Sequence, residues 1–226
     1  MNNIKDLKIT LCALFLTFVG YSQCDELPRK IDLDDQIIYH TAYTLSYNET
    51  HEQANWVKYM VTKVELESKE AKRKNNFKED PIILTESAQL IDYKSSGYDR
   101  GHLAPAATFI DSQKEMDESF YMSNMSPQHP SFNRGVWKRL EEYERKVAME
   151  KDTVYVICGP ILSGDLKTIG PNKVSVPELY FKIIYYKDFR VCFILNNEKS
   201  SEPLYVFKQP LDVVEKLCMI DFGLEQ

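Results

Sequence analysis

Alternating apolar and polar side chains predict several β-strands along the chain. Residues 43–47 alternate with a period of two, and residues 56–66 are rich in β-forming residues and contain no glycine or proline. Both patterns indicate strands. The same signals predict strands at residues 153–158, which Gly159-Pro160 would close, at 180–186 and at 189–195. The short Lys187-Asp188 turn between the last two favours a β-hairpin.

An amphipathic helix is predicted in the middle of the chain. Its apolar stripe has the spacing i, i+4, i+7 and i+11 and consists of Val136, Leu140, Tyr143 and Val147. Asn133 lies at the start of this stripe, where asparagine is a favoured N-cap residue. A second helix is expected at residues 210–218, with Pro210 in the first turn, where its missing N–H costs nothing.

Strands at both ends of the chain and a helical centre predict an α+β fold with a central, mainly antiparallel β-sheet. Residues 71–80 are polar and charged, and Pro81 begins a new element, so this segment is expected to be an exposed connection. No internal repeat or low-complexity linker divides the sequence, which favours one domain.

The first residues have the pattern of a signal peptide. Lys5 and Lys8 precede an apolar run at residues 9–19, and small or polar residues follow to Gln23. The run is too short for a membrane-spanning helix, which needs about 20 apolar residues. We therefore expect residues 1–23 to be a signal peptide and residues 24–226 to form a secreted or periplasmic domain without a transmembrane span. Lipid anchoring at Cys24 is the less favoured alternative, because the residue before such a cysteine should be small.

The charge balance argues against a protein that coats nucleic acid electrostatically. The chain has 28 basic and 34 acidic residues, and removal of the leader leaves 26 and 33, a formal charge of −7. A local basic cleft remains compatible with this balance, because substrate binding depends on the field near the site. Residues 134–146 contain five basic side chains against three acidic ones.

Four cysteines follow the leader, and four cysteines allow three complete pairings in an oxidising compartment. Cys158 and Cys192 lie in apolar, strand-like runs, where buried free thiols are common. Cys24 and Cys218 are the pair we expect. No Cys/His spacing indicates a zinc site.

Three segments carry candidate chemistry: residues 98–102 (YDRGH), 123–128 (SNMSPQ) and 133–141 (NRGVWKRLE). His102 is the candidate general base, because an unperturbed imidazole with a pKa of about 6.5 accepts a proton near neutral pH. Arg100 is two residues away, so an extended strand would direct both side chains to one face. Its planar guanidinium can hold two phosphate oxygens. Gly101 between them would permit a close backbone approach.

Asn133 and Glu141 are the candidate metal ligands. An asparagine carbonyl oxygen suits Mg²⁺, which keeps several waters and takes few protein ligands. In a regular helix the eight-residue separation corresponds to about 12 Å of rise and about 80° of rotation, which disfavours direct binding of one ion by both residues. That objection disappears if Asn133 lies outside the first regular turn. We expect Glu141 to act through a metal-bound water.

Two more polar residues have expected roles near these segments. Asn124 is a candidate for substrate binding, through a hydrogen bond to the ligand shell, or for holding the loop. Asp99 is expected to orient its neighbours rather than bind metal. Two simpler interpretations stay open: Asn133 as a helix cap, and Glu141 as part of a solvated helix face.

The motifs together resemble the DNA/RNA non-specific endonucleases, the ββα-metal (His-Me finger) nucleases with an Asp-Arg-Gly-His signature. The matches are Asp99 to His102 for that signature, Asn124 in Ser-Asn-x-x-Pro-Gln, Asn133 in Asn-x-x-x-Trp and Glu141 in Leu-Glu. The resemblance extends upstream through residues 56–59 and 76–81 and downstream through 159–160 and 176–177. One departure is Thr108, where the family often has aspartate.

The resemblance implies a ββα-metal catalytic core that cleaves DNA and RNA. It implies His102 as base, Arg100 as phosphate ligand, Asn133 as direct Mg²⁺ ligand and Glu141 as outer ligand, with Mn²⁺ as a substitute ion. The family's additional upstream arginine corresponds to Arg73. Two alternatives remain open, a phosphodiesterase for small nucleotides and a catalytically silent nucleic-acid-binding or surface protein. The sequence does not define an oligomeric state.

Overall fold

The computed structural model describes residues 27–30, 35–85 and 87–224. The expected signal peptide and Cys24 lie outside these residues. Within the described part of the chain, no helix has the length and apolar character needed to cross a membrane.

The described residues form strands and helices in a mixed order. The strands are β1 (Arg29–Lys30), β2 (Gln36–Tyr39), β3 (Tyr43–Asn48), β4 (Gln53–Thr62), β5 (Asp99–His102), β6 (Met125–Gln128), β7 (Thr153–Pro160), β8 (Thr168–Ile169), β9 (Val174–Ser175), β10 (Leu179–Tyr186), β11 (Phe189–Asn196), β12 (Lys208–Gln209) and β13 (Ile220–Asp221). The α-helices are α1 (Lys63–Ser68), α2 (Leu90–Tyr93), α3 (Gln113–Glu118), α4 (Lys138–Lys151) and α5 (Leu211–Cys218). Met122–Asn124 and Leu204–Phe207 are 3₁₀-helical, and Phe132–Trp137 is π-helical.

A seven-stranded sheet is the centre of the fold and has the order β12-β11-β10-β7-β4-β3-β2. Every neighbouring pair in it is antiparallel. The α+β class with a mainly antiparallel sheet is therefore confirmed. The expected hairpin joins β10 and β11, and Lys187 adopts a left-handed φ of 48° in its turn.

Two predicted strand boundaries were wrong. Residues 63–66 form part of α1 instead of continuing β4, because Thr62 and Glu65 make a reciprocal capping box that starts a helix. Gly159 and Pro160 continue β7 instead of closing it. A Cβ atom at Gly159 would lie 2.3 Å from the carbonyl oxygen of Asn55, so this glycine permits a close approach to β4.

The central helix has the expected apolar face. Val136, Leu140 and Val147 are buried and Tyr143 is half-buried. The N-cap position predicted for Asn133 was wrong, because the backbone N–H groups of Phe132 and Asn133 both donate to the His129 carbonyl, which places Asn133 inside the helical turn. The second helix begins at Leu211, with Pro210 as its N-cap residue instead of a member of the first turn.

Both faces of the sheet are covered by apolar side chains. Alternation along β10 directs Tyr180 and Ile184 into the core that contains α4, and Phe181 and Ile183 into the core that contains α5. Among the cysteines, Cys158, Cys192 and Cys218 are buried free thiols. The pairing expected for Cys218 involves Cys24, which is outside the described residues.

A buried ion pair connects α4 to the sheet. The Nζ of Lys182 on β10 donates to Glu144 of α4 at 2.6 Å and to the Tyr59 hydroxyl at 3.0 Å. That hydroxyl donates to both carboxylate oxygens of Glu144 at 3.0 Å. The side chains of Lys182 and Glu144 are 0% exposed. Each charge therefore depends on its partner to offset the loss of water.

We expect Lys182→Met to lower the free energy of unfolding by about 3 kcal/mol, because it leaves the Glu144 carboxylate buried without its cation. The double variant Lys182→Met/Glu144→Met should recover at least half of this loss, since no uncompensated charge remains. Urea unfolding of both proteins measures the difference. A double variant that is less stable than the single variant would contradict the interpretation.

Candidate active site

The Asp-Arg-Gly-His segment forms one strand of a two-stranded ribbon that stands apart from the large sheet. Strand β5 pairs antiparallel with β6, with Asp99 opposite Gln128 and His102 opposite Met125. The extended conformation predicted for Arg100 and His102 is confirmed. A Cβ atom at Gly101 would lie 2.2 Å from the Gln128 side chain, so only glycine fits there. The ribbon leads into the π-helical turn and α4.

A cleft of ≈ 550 Å³ lies between the ribbon and the helix. It brings together five of the six residues that the sequence singles out: Arg73, Arg100, His102, Asn133 and Glu141. The sixth, Asn124, is fully buried elsewhere. Its side chain donates to the carbonyls of Ala104 and Ser119 and accepts from the Ala104 N–H. The structure thus corrects the expected substrate contact of Asn124, which instead holds the loop after β5.

His102 is a nearly buried imidazole with an unused nitrogen. Its ring meets Phe120 edge-on at 4.8 Å between centroids and is tilted against Phe77 at 5.6 Å. Nε2 is buried and has no hydrogen-bond partner among the described residues. Burial, followed by the charges of Arg73 and Arg100, lowers the pKa of His102 to about 3. The ring is therefore neutral at pH 7 and has a lone pair that can accept a proton.

Two arginines flank the imidazole. The guanidinium of Arg100 lies over the Phe77 ring at 4.3 Å, and that of Arg73 lies over the Phe120 ring at 5.2 Å. Arg73 also donates from Nε to Asn75 at 2.7 Å. The guanidinium of Arg100 makes no hydrogen bond to any of the described residues, so its N–H groups remain available to a ligand in the cleft.

Asp99 orients the residues that follow it across the cleft, as the sequence predicts. One carboxylate oxygen accepts from Asn133 Nδ2 at 2.9 Å and Arg134 Nε at 2.8 Å, and the other accepts from Arg134 Nη2 at 2.6 Å. Burial opposes ionisation of Asp99, but the hydrogen bonds from Arg134 and Asn133 outweigh it and lower its pKa. Because Nδ2 is engaged, the amide orientation of Asn133 is set, and its Oδ1 accepts no hydrogen bond from the described residues.

The π-helical turn changes the relation between Asn133 and Glu141. Gly135 lies between them with φ −110° and ψ −106°, which are not helical angles. The rise and rotation of a regular helix therefore do not apply to this pair, and both side chains line the same cleft. Single π-helical turns within α-helices are frequent at functional sites.

Glu141 is half-buried, and opposing effects act on its pKa. Burial raises its pKa to about 7, assisted by the neighbouring Glu144 carboxylate and opposed by Lys182, Arg145 and Arg73. A cation in the cleft would favour the ionised form.

Oxygen atoms in the cleft suit a hard divalent ion. The free Oδ1 of Asn133 is a neutral carbonyl donor, and Glu141 adds a carboxylate on the same wall. No cluster of three or more His, Cys, Asp or Glu side chains among the described residues forms a metal cage. Few protein ligands and several waters are what Mg²⁺ prefers, so the donor set fits that ion.

Three basic residues of the cleft were not assigned a role from the sequence. Arg134, Lys138 and Arg145 line it beside Glu141. Lys138 and Arg145 lie three residues before and four residues after Glu141 in α4, so their spacing in the sequence indicates one helical face. Arg134 precedes the non-helical Gly135 and is held by Asp99 instead. Thr108, the departure from the family pattern, is buried, and its hydroxyl has no partner in the described part of the chain.

A two-stranded ribbon that carries the Asp-Arg-Gly-His segment, followed by a helical unit whose Asn133 and Glu141 line the same cleft, defines the ββα-metal nuclease class of fold. The chain belongs to the DNA/RNA non-specific endonuclease family, whose model matches residues 23–225. This family consists of metal-dependent nucleases.

Relatives of known class cover most of the chain. A nuclease of Syncephalastrum racemosum is 36% identical over 214 residues, which are 82% of this chain and 67% of the relative. The mitochondrial endonuclease G of Homo sapiens is 34% identical over 194 residues, which are 77% of this chain and 65% of the relative. The chain thus spans about two thirds of each of these two proteins. A chain of the EndoG/EndoGI complex crystal structure, at 32% identity, has a TM-score of 0.76 over 84% of this chain and 86% of that one.

His102 should make the stability of the protein dependent on pH. Its pKa is about 3 in the folded state and about 6.5 in the unfolded chain, so only the unfolded chain binds this proton between those values. The free energy of unfolding should therefore fall as the pH drops below 6.5, by about 2 kcal/mol at pH 5 from this residue. Urea unfolding of wild type and His102→Gln at pH 7.5 and pH 5 measures the effect. Equal losses in both proteins would refute it.

Proposed function

We propose that this protein is a metal-dependent endonuclease that hydrolyses phosphodiester bonds of DNA and RNA with little sequence preference. One observation carries the proposal: a neutral His102, the unpaired N–H donors of Arg100 and the oriented amide oxygen of Asn133 all face one cleft. These groups are a proton acceptor, a phosphate ligand and a metal ligand. Together they supply what metal-assisted hydrolysis of a phosphodiester uses.

The charge of the cleft supports a polyanionic substrate. The whole chain has a formal charge of −6, yet five cationic side chains and two acidic ones line the cleft. The cationic ones are Arg73, Arg100, Arg134, Lys138 and Arg145. Contacts from such side chains to phosphates position a nucleic acid without reading its bases, which accounts for weak sequence preference.

The residues have complementary tasks in the proposed reaction. His102 removes a proton from the attacking water, and Arg100 holds the phosphate and neutralises charge on its equatorial oxygens. A bound phosphate offsets the positive field of Arg73 and Arg100, which raises the basicity of His102 when substrate is present. Substrate binding thus activates the base.

Asn133 would hold Mg²⁺ directly through Oδ1, and Glu141 would hold a water molecule bound to the ion. Mn²⁺ would serve as a substitute for Mg²⁺. The ion supplies positive charge to the phosphoryl and leaving oxygens. Asp99 keeps the Asn133 oxygen directed into the cleft.

The proposal includes export from the cytoplasm. The basic and apolar pattern of residues 5–23 supports it.

We expect the mature protein to degrade plasmid DNA and RNA with Mg²⁺ or Mn²⁺ and to be inactive with a chelator. His102→Ala should lower kcat at least 100-fold, because it removes the proposed proton acceptor beside Arg100. His129→Ala is the matched control, since His129 is exposed and outside the cleft. Gel assays of both substrates measure cleavage.

Two results would replace the proposal. Cleavage of a chromogenic diester by a folded protein that leaves polynucleotides intact would favour a phosphodiesterase for small nucleotides. Binding of DNA without any cleavage would favour a catalytically silent protein.

Asp99→Ala should raise the Mg²⁺ concentration for half-maximal cleavage about ten- to a hundredfold, because the Asn133 amide loses the partner that orients it. Arg134→Ala is the matched control: it removes the exposed arginine and leaves the hydrogen bond between Asp99 and Asn133. Its shift should be smaller. Equal shifts in a Mg²⁺ titration at saturating DNA would show that the orientation of Asn133 is not the cause.

A further inference from the structure

A second hollow lies beside the cleft and shares two of its lining residues. It has a volume of ≈ 570 Å³ and is lined by α2, by the residues that lead into β5 and by Asp99 and Arg100. Asp99 and Arg100 also line the cleft that contains His102. A ligand held by Arg100 is therefore next to both cavities.

The surface of this hollow combines aromatic, aliphatic and cationic groups. Leu90 and Ile91 of α2 are 45% and 49% exposed, so both offer apolar surface to a ligand. Tyr98 is half-exposed on the opposite wall, and Lys94 adds an exposed ammonium group. Tyr93 is buried at the base, and its hydroxyl has no partner among the described residues.

We propose that this hollow binds an unpaired nucleobase of the nucleotide adjoining the scissile phosphate. The inference rests on the proposed function, in which Arg100 holds that phosphate. The base next to a phosphate on Arg100 has the hollow within reach, and the volume lies in the range of small-ligand pockets. Lys94 is placed to bind the next phosphate of the strand.

The chemistry of the hollow suits any base. Stacking on Tyr98 and apolar contact with Leu90 and Ile91 require only a flat aromatic face, which every base has. Such a pocket would strengthen binding without selecting a sequence.

A paired base in a duplex cannot enter the hollow without leaving its stack. Single-stranded substrates should therefore be cleaved with a higher kcat/KM than duplexes of the same sequence. Because of the hollow, the protein would distinguish single-stranded from double-stranded substrates but would not distinguish one base from another.

The test uses single-stranded DNA oligonucleotides with one abasic site, and the cleavage rate is measured at each bond. In the wild type, cleavage at the bond beside the abasic site should fall about tenfold, the typical contribution of one stacked base. Tyr98→Ala and Ile91→Ala should lower cleavage of the intact oligonucleotide by a similar factor. In Tyr98→Ala the abasic site should have little further effect, because the stacking contact is already absent, and in Ile91→Ala its effect should be smaller than in the wild type.

Tyr205→Ala is the matched control, since Tyr205 is a 69% exposed tyrosine that lines neither cavity. It should retain the full abasic effect. A wild type that is insensitive to the abasic site, or variants that keep the full effect, would overturn the inference.

A binding assay separates this inference from the proposed function. In the His102→Ala background, Tyr98→Ala should raise the Kd for an intact single-stranded oligonucleotide about tenfold and leave the Kd for the matching duplex almost unchanged. An equal change for both would overturn the inference. If the wild type does not cleave nucleic acid but Tyr98→Ala still weakens binding of the single strand and not of the duplex, only the proposed reaction is refuted.

Discussion

The Asp99 carboxylate joins the two halves of the site. It lies on the ribbon next to Arg100, and it accepts hydrogen bonds from Asn133 and Arg134 at the start of the helical unit. This contact, together with the hydrogen bond from Trp137 to the His102 carbonyl, fixes how the ribbon and the helix present their polar groups to each other. The bond from Asn133 to Asp99 decides which end of the Asn133 amide enters the cleft. One carboxylate thus helps to set the distance between the elements and sets the chemistry of the candidate ligand.

Beneath this contact, a buried chain of interactions links the base to the large sheet. Trp137 donates from Nε1 to the His102 carbonyl at 3.1 Å. The ammonium of Lys182 lies 4.7 Å from the centroid of the Trp137 ring and is paired with Glu144. The histidine backbone, α4 and β10 are therefore held by groups that are costly to move in a dry interior. The candidate site is supported by packed elements even though its residues lie in short segments.

The sequence predicted what depends on residue type and order. Its failures come mostly from contacts between distant segments, although the wrong end of β4 has a local cause, the capping box of Thr62 and Glu65. The sequence predicted the strands with period-two alternation and the apolar stripe of the helix. It also predicted the extended conformation of Arg100 and His102. The N-cap position of Asn133 was wrong, because the turn begins at His129 and Asn133 is bound by Asp99, 34 residues earlier. Asn124 is buried by contacts with Ala104 and Ser119 that form only when the chain folds. Neither contact is visible in local spacing.

Electrostatics explains why a neutral base and a cationic cleft occur together in an acidic protein. Burial, followed by the charges of Arg73 and Arg100, lowers the pKa of His102, and in the proposed function the same two arginines attract phosphate. Without a bound substrate, the imidazole of His102 therefore has little affinity for protons and stays unprotonated in moderately acidic medium. When a phosphate neutralises the arginines, the lone pair gains basicity at the position where a proton must be accepted. In the proposed reaction, the arginines that bind the substrate thus add to the effect of burial in restraining the base until the substrate is present.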